Sequence, residues 1–154
     1  MTNLNNLIDS LNQDLKREYQ HLDYYIAAAT NVIGPHRKEF SEFFAAQAAS
    51  ELSHVMEFRK LIIGLGGHPT SDRIQASYAA DSPVSSWIKS ALDLETEVTK
   101  NYTQRLLEAE ELQENGGTDR VDGKYIEIFM EEQLLHSRQD ADELKEMLKE
   151  TLNG

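Results

Sequence analysis

Six side chains in this sequence have the types and spacings to bind metal ions together: Glu18, Glu51, His54, Glu95, Gln133 and His136. Glu51-Leu-Ser-His54 sets a carboxylate and an imidazole three residues apart, on one face if the segment is helical. Gln133-Leu-Leu-His136 repeats that spacing with an amide in place of the carboxylate. Carboxylate oxygen and imidazole nitrogen are suitable donors for iron or manganese. A lone pair of this kind is usually solvated on a helix surface. The pattern carries weight only if the chain gathers all six, which depends on the elements that hold them.

Four long helices are predicted. Leu4, Leu7, Ile8, Leu11, Leu15, Leu22, Tyr25, Ile26, Ala29, Val32 and Ile33 form a helical stripe over about Asn3 to Val32, broken by Gly34-Pro35. A second helix runs from about Arg37 to Leu65 and stops at Gly66-Gly67-His68-Pro69. After a polar stretch, Asp81-Ser82-Pro83 reads as the start of a third helix, from about Val84 to Leu112. The fourth runs from about Arg120 to Leu152, behind the loop Asn115-Gly116-Gly117-Thr118-Asp119, which offers a cap. Helices of about 28 to 32 residues are roughly 42–48 Å long. The link between the second and third holds about 16 residues and can span about 50 Å. The expected fold is therefore all-α, a single four-helix-bundle domain over 1–154 with one long crossover.

The six side chains interrupt the apolar stripes. Leu11, Leu15, Leu22 and Tyr25 bracket Glu18, and Phe44, Ala48, Val55 and Phe58 bracket Glu51 and His54. Ile88, Ala91, Val98 and Tyr102 bracket Glu95, while Met130 and Leu134 neighbour Gln133. An unpaired buried carboxylate costs several kcal/mol, and bound cations are one compensation. Glu18 lies about 16 residues before the Gly34-Pro35 turn and Glu51 about 16 after it, which gives them equal height in an antiparallel hairpin.

Composition narrows the classes. The chain has 154 residues, 40% hydrophobic and 27% charged, in keeping with a globular protein. It has no Cys, which removes disulfides and thiolate metal sites. A net charge of −12 argues against nucleic acid. No apolar run is long enough to span a bilayer and no signal peptide is legible, so a cytoplasmic location is expected.

With these residues in place, the sequence resembles the ferritin–bacterioferritin superfamily over nearly its whole length. That family takes one Glu from each of two helices and Glu-x-x-His from the other two. Glu18, Glu51-Leu-Ser-His54 and Glu95 match its first three elements. Tyr25 matches the Tyr beside the metals, and Leu65-Gly-Gly-His-Pro69 resembles the bacterioferritin ending of the second helix. The neighbouring Glu97 is expected on the outer side.

The fourth helix departs from the pattern. Gln133 stands where a bridging carboxylate is usual, and a π-bulge could instead turn Glu132 inward, so Glu132 is an alternate ligand. Leu52 occupies the place of the haem-binding Met, so no haem is expected. Eighteen residues follow His136, so the short fifth helix of the large shells is not expected. His21 makes Glu18-Tyr-Gln-His21 a second Glu-x-x-His. It is read as solvated or backing, with an extra ligand as the alternative.

The resemblance implies a ferroxidase or iron-storage protein, with two irons per subunit (manganese suits the same donors) and Fe(II) oxidised by O2 or H2O2. Glu18 and His54 would serve one ion, Glu95 and His136 the other, Glu51 would bridge, and Gln133 would replace the second bridge. A homo-oligomer is implied, dimer-based and up to a cage, to which outward Tyr24, Ile128 and Leu135 could contribute. The rival readings are a metal-retaining manganese catalase or peroxidase, and a non-enzymatic helical protein.

Overall fold

Chain chemistry sets where each helix begins and ends. The structure, a computed structural model, describes residues 3–153 and contains α1 Leu4–Asn31, α2 Arg37–Gly64, α3 Val84–Glu114 and α4 Arg120–Asn153. No strand occurs among the described residues. Asn3 caps α1 by accepting from the Asn6 backbone N–H at 2.9 Å, and Asp119 caps α4 by accepting from Asp122 N–H at 2.8 Å. Gly34, at φ +98, makes the reversal between α1 and α2 that a side chain would strain. At the far end of α2, Gly67 N–H turns back to the Ile62 carbonyl at 2.9 Å. A Cβ at Gly67 would come within 2.6 Å of Ile8 Cγ2, so only glycine lets this turn close on the start of α1.

α1 packs along α2 and α3 along α4, and α1 against α3 joins the two hairpins. α2 and α4 approach through side chains rather than backbone, as where Phe58 meets Phe129 edge-on at 5.0 Å between centroids. The crossover climbs the outside of α1. Asn12 holds its start, donating to the His68 carbonyl and accepting from Thr70 N–H. Higher up, Ile74 N–H reaches the Lys16 carbonyl, and Arg73 lies over the Tyr19 ring and pairs with Asp23 at 2.7 Å. Near the top, Tyr78 meets Trp87 of α3. The segment therefore travels the bundle end to end, as its length allows.

The core lies in two apolar halves. One, including Leu7, Leu11, Leu15, Phe58, Leu61, Ile62, Tyr102 and Met130, fills the end near Gly67. The other, including Tyr24, Tyr25, Ala28, Phe44, Trp87, Ile88 and Leu144, fills the end near Gly34. Fully burying each large apolar side chain contributes about 1.5–3 kcal/mol. Three expectations need correction. Ile26 and Ile33 are exposed, because Ile26 follows Tyr25 by one residue and rotates off the inward arc, and Ile33 lies in the turn past the end of α1. Tyr24, expected to face outward, is 2% exposed, since Trp87 and the Trp87 carbonyl, 2.7 Å from its hydroxyl, give it an inward partner. Ile128 and Leu135 are exposed, as expected.

One buried ion pair ties the hairpins together. Arg105 of α3 donates from Nε to Asp14 of α1 at 2.8 Å, and Arg17 adds a contact at 3.3 Å. Burial nevertheless pushes the Asp14 carboxyl up to about 6 against the pull of both guanidinium groups. Arg105→Met strands most of that charge and should lower unfolding free energy by about 3 kcal/mol. Urea denaturation measures it, and adding Asp14→Leu should restore most of the loss.

Candidate metal centre

Between the two apolar halves lies a polar layer supplied by all four helices. Glu18 and His21 stand one turn apart on α1, and Glu51 and His54 one turn apart on α2, brought level by the Gly34 reversal. Glu95 enters from α3, and Gln133 and Ser137 from α4. Glu18, Glu51 and Glu95 are 1%, 3% and 1% exposed, so this is a layer of carboxylates within the core. His21 is 2% exposed, and the His54 side chain is 12% exposed.

Two sets of three could each hold a metal ion, with potential ligand atoms within 4.8 Å of one another. Glu18, Glu51 and His54 form the first; His21, Glu51 and Glu95 form the second. Glu51 belongs to both. The donor chemistry, carboxylate and imidazole without sulfur, fits iron or manganese. Buried Glu18 Oε2 has no hydrogen-bond donor and Glu51 Oε2 has a long contact, 3.5 Å, with His54 Nδ1, a costly arrangement that a cation would relieve.

The opposite carboxylate oxygens are held from outside. Tyr102 of α3 donates to Glu18 Oε1. Tyr25 donates to Glu95 Oε1 at 2.8 Å, and Ser137 to Glu95 Oε2 at 2.8 Å, with Thr99 3.2 Å from the Ser137 hydroxyl. Gln133 donates from Nε2 to Glu57 at 3.2 Å, while its buried Oε1 has no partner.

Burial and mutual repulsion govern the charges. Burial, reinforced by Glu51, lifts Glu18 well above the usual carboxylate range. Glu95 is pushed up to about 8 by burial and the Glu51 charge. Burial also works against ionisation of Glu51, but the His54 hydrogen bond and the His21 and His54 charges hold it below its usual value. Burial opposes charge on His54 as well, and Glu51 overcomes it and raises the imidazole. His21 is lowered, chiefly by burial. Without metal, the layer therefore keeps Glu51 ionised and protons on Glu18 and Glu95.

The structure gathers Glu18, Glu51, His54, Glu95, Gln133 and Tyr25 into this layer. His136 is exposed and stands outside both sets, its ring 5.9 Å from that of His54. The reason is periodicity: the inward arc of α4 runs Met130, Gln133, Ser137, Ala141, so position 136 falls at its edge. Glu132 is exposed, as is Glu97. The solvated reading of His21 is corrected by its burial among carboxylates. Its signal was present, because residue 21 continues the arc of Leu11, Asp14, Glu18, Tyr25 and Ala28. Ser137, Tyr102 and Asp140 were not singled out as part of the centre. The first two lay on inward arcs, and Asp140 is raised to about 6, chiefly by burial and the Glu51 charge.

Comparison with known proteins bears on the family and the fold. The family model for the ferritin-like domain matches residues 8–151. The chain belongs to the ferritin-like family. Its fold matches ferritin-like, diiron-carboxylate proteins from Bacillus anthracis str. Ames with a TM-score of 0.83 at 26% identity, covering 94% of this chain and 96% of that one. A dodecameric thioferritin, the bacterioferritin-related protein from Bacteroides fragilis, shares the fold at a TM-score of 0.81 and 18% identity, covering 99% and 89%. No curated protein matches. Among the described residues, no helix is long and apolar enough to cross a membrane.

The raised carboxyls make a signed prediction. A carboxyl whose folded pKa is raised stabilises the fold below its unfolded value and loses that contribution as pH rises through the folded value. Glu95, raised from 4.5 to about 8, places its loss between those two values, and the raised Glu18 adds to it from the same starting point. The lowered His21 and Glu51 act at lower pH. In chelator, the melting temperature should therefore fall between about pH 6.5, above which His21 no longer opposes the trend, and about pH 8, and saturating metal should remove most of that fall. Melting curves with and without metal check both signs.

Proposed function

We propose that this protein is a ferroxidase of the iron-storage type, acting as one ferritin-like unit over 1–154. The observation that carries the reading is Glu51, a single ionised carboxylate common to two ligand sets. A shared carboxylate keeps two ions close enough for joint redox work. Fe(II) is the substrate: 2 Fe(II) + O2 + 2 H+ give 2 Fe(III) + H2O2, with peroxide as an alternative electron acceptor. The diiron-carboxylate description of the Bacillus anthracis protein supports iron over manganese.

Glu18 and His54 would flank one ion and Glu95 and His21 the other, with Glu51 between. His21 thus takes the second imidazole position expected of His136, which stays at the rim beside His54 where it can meet arriving iron. Tyr102 orients Glu18 Oε1 and leaves Oε2 free, while Tyr25 and Ser137 hold one Glu95 oxygen each, and each of those oxygens keeps a lone pair for an ion. Protons held by Glu18 and Glu95 must leave as the metal enters, so loading acidifies the medium. A homo-oligomer is part of the proposal; the Bacteroides fragilis protein of the same fold is dodecameric.

Anaerobic Fe(II) titration of metal-free protein should saturate near two ions per chain, and oxygen should then produce ferric absorbance quickly. Saturation without oxygen reactivity would rule out the ferroxidase. Glu51→Ala should cut the oxidation rate by at least about 100-fold, since even groups behind the ligands cost about 10–100-fold when removed. His21→Ala should lower stoichiometry toward one, whereas His136→Ala should slow loading and leave stoichiometry unchanged. Gln133→Glu, which supplies a further carboxylate at a buried position, should slow release of ferric product. Equally fast release would show that the missing charge does not govern it.

A further inference from the structure

Two tyrosines touch the candidate centre, and their surroundings differ. Tyr102, on Glu18, stacks against Phe58, which meets Phe129. Tyr25, on Glu95, also stacks against Phe44. Phenylalanine rings are hard to oxidise, so those contacts lead nowhere for an electron. Tyr25 has one other neighbour of a different kind: it meets Tyr24 edge-on at 5.9 Å between centroids. Tyr24 meets Trp87 at 5.7 Å, and Trp87 meets Tyr78 at 5.5 Å. All three distances are those of aromatic pairs in contact. Tyr25, Tyr24 and Trp87 are buried, and Tyr78, on the crossover, is 51% exposed.

We propose that Tyr25, Tyr24, Trp87 and Tyr78 form a conduit that carries a surplus oxidising equivalent from the metal centre to solvent, with Tyr78 as the outlet. This rests on the ferroxidase reading. The direction follows from where protons can go, because a phenol that loses an electron becomes strongly acidic. Once metal loading has displaced the carboxyl's own proton, Tyr25 can pass its proton to Glu95 and recover it, so it serves as the inlet. Tyr24 donates to the Trp87 backbone carbonyl at 2.7 Å, which is no base, and the buried Trp87 Nε1–H has no partner. Neither can shed a proton, so neither retains the oxidation. Tyr78 faces water, which accepts its proton and leaves a neutral phenoxyl radical.

The conduit matters when peroxide meets a centre holding a single Fe(II). Breaking the O–O bond to give water takes two electrons, and the iron supplies one. Tyr78 supplies the other through the rings: Fe(II) + H2O2 + H+ + Tyr78–OH give Fe(III) + 2 H2O + Tyr78–O•. An external one-electron donor such as ascorbate or a thiol then restores the phenol. No hydroxyl radical is released inside the core.

The test loads metal-free protein with one equivalent of Fe(II) per chain and adds one equivalent of H2O2 with the spin trap 2-methyl-2-nitrosopropane. Adducts are then located by peptide mass spectrometry. Tyr125 is the internal control, being exposed to 48% but without a ring path to the centre among these contacts. Adducts should concentrate at Tyr78 over Tyr125. Trp87→Phe should reduce the Tyr78 adduct to the Tyr125 level. Tyr78→Phe, a surface change, should shift oxidation inward to Trp87, Tyr24 or Tyr25. Equal labelling of Tyr78 and Tyr125, or no inward shift in Tyr78→Phe, would overturn the conduit while iron oxidation persists. If Fe(II) is neither bound nor oxidised, the ferroxidase reading fails and takes the conduit with it.

Discussion

Three carboxylates in the middle of a helical core are the constraint around which the rest of this molecule is arranged. Glu18, Glu51 and Glu95 face one another with the imidazoles of His21 and His54 beside them, and the guanidinium groups of Arg17 and Arg105 are engaged by Asp14 one turn below Glu18. Such a layer repels itself and cannot contribute to apolar cohesion. The core is consequently two apolar blocks separated by a polar floor. Each block must be large enough to hold its end of the bundle closed, which explains the long helices and the heavy use of Phe, Tyr and Trp in contact with one another. Hydroxyl donors from Tyr25 and Ser137 hold both oxygens of Glu95 and Tyr102 holds one of Glu18, so the remaining tension is concentrated on Glu18 Oε2 and Glu51 Oε2.

Much of this was legible in the sequence, for definite reasons. Helix limits followed from Gly34-Pro35, Gly66-Gly67 and Pro83, and the helices end within two residues of the expected positions. The match in height between Glu18 and Glu51 followed from counting to one turn. Glu95 was legible because Ala91 and Val98 flank it on the same arc. Less legible was anything at the edge of an arc. His136 and His21 both lie three residues after an inward polar group, yet one is exposed and the other buried. The difference is the phase of the whole helix against its neighbours: the inward line of α1 passes through positions 14, 18, 21, 25 and 28, and that of α4 through 130, 133, 137 and 141. A family pattern placed the second imidazole on α4, and tertiary phase gives α1 the buried one.

Tyr24 illustrates a related limit. Its neighbours in sequence say only that it sits beside Tyr25, one step around the helix. What buries it is the Trp87 ring and carbonyl from a helix sixty-three positions away, with the crossover passing near. Burial of a residue beside the inward arc is decided by what the long connection covers, and a polar, weakly patterned connection discloses little of its route. Contacts of Asn12, Lys16 and Asp23 with the segment beyond His68 fix that route along α1.

The distribution of donors between the hairpins also has a meaning for assembly order. Glu18, His21, Glu51 and His54 all belong to the first half of the chain, and Glu18, Glu51 and His54 form a full three-donor set without help from the second. An ion captured there would neutralise part of the floor before α3 and α4 dock, leaving a less repellent surface for Glu95 to close over. Metal would then act as an early guest of a nascent hairpin as well as cargo of the finished bundle.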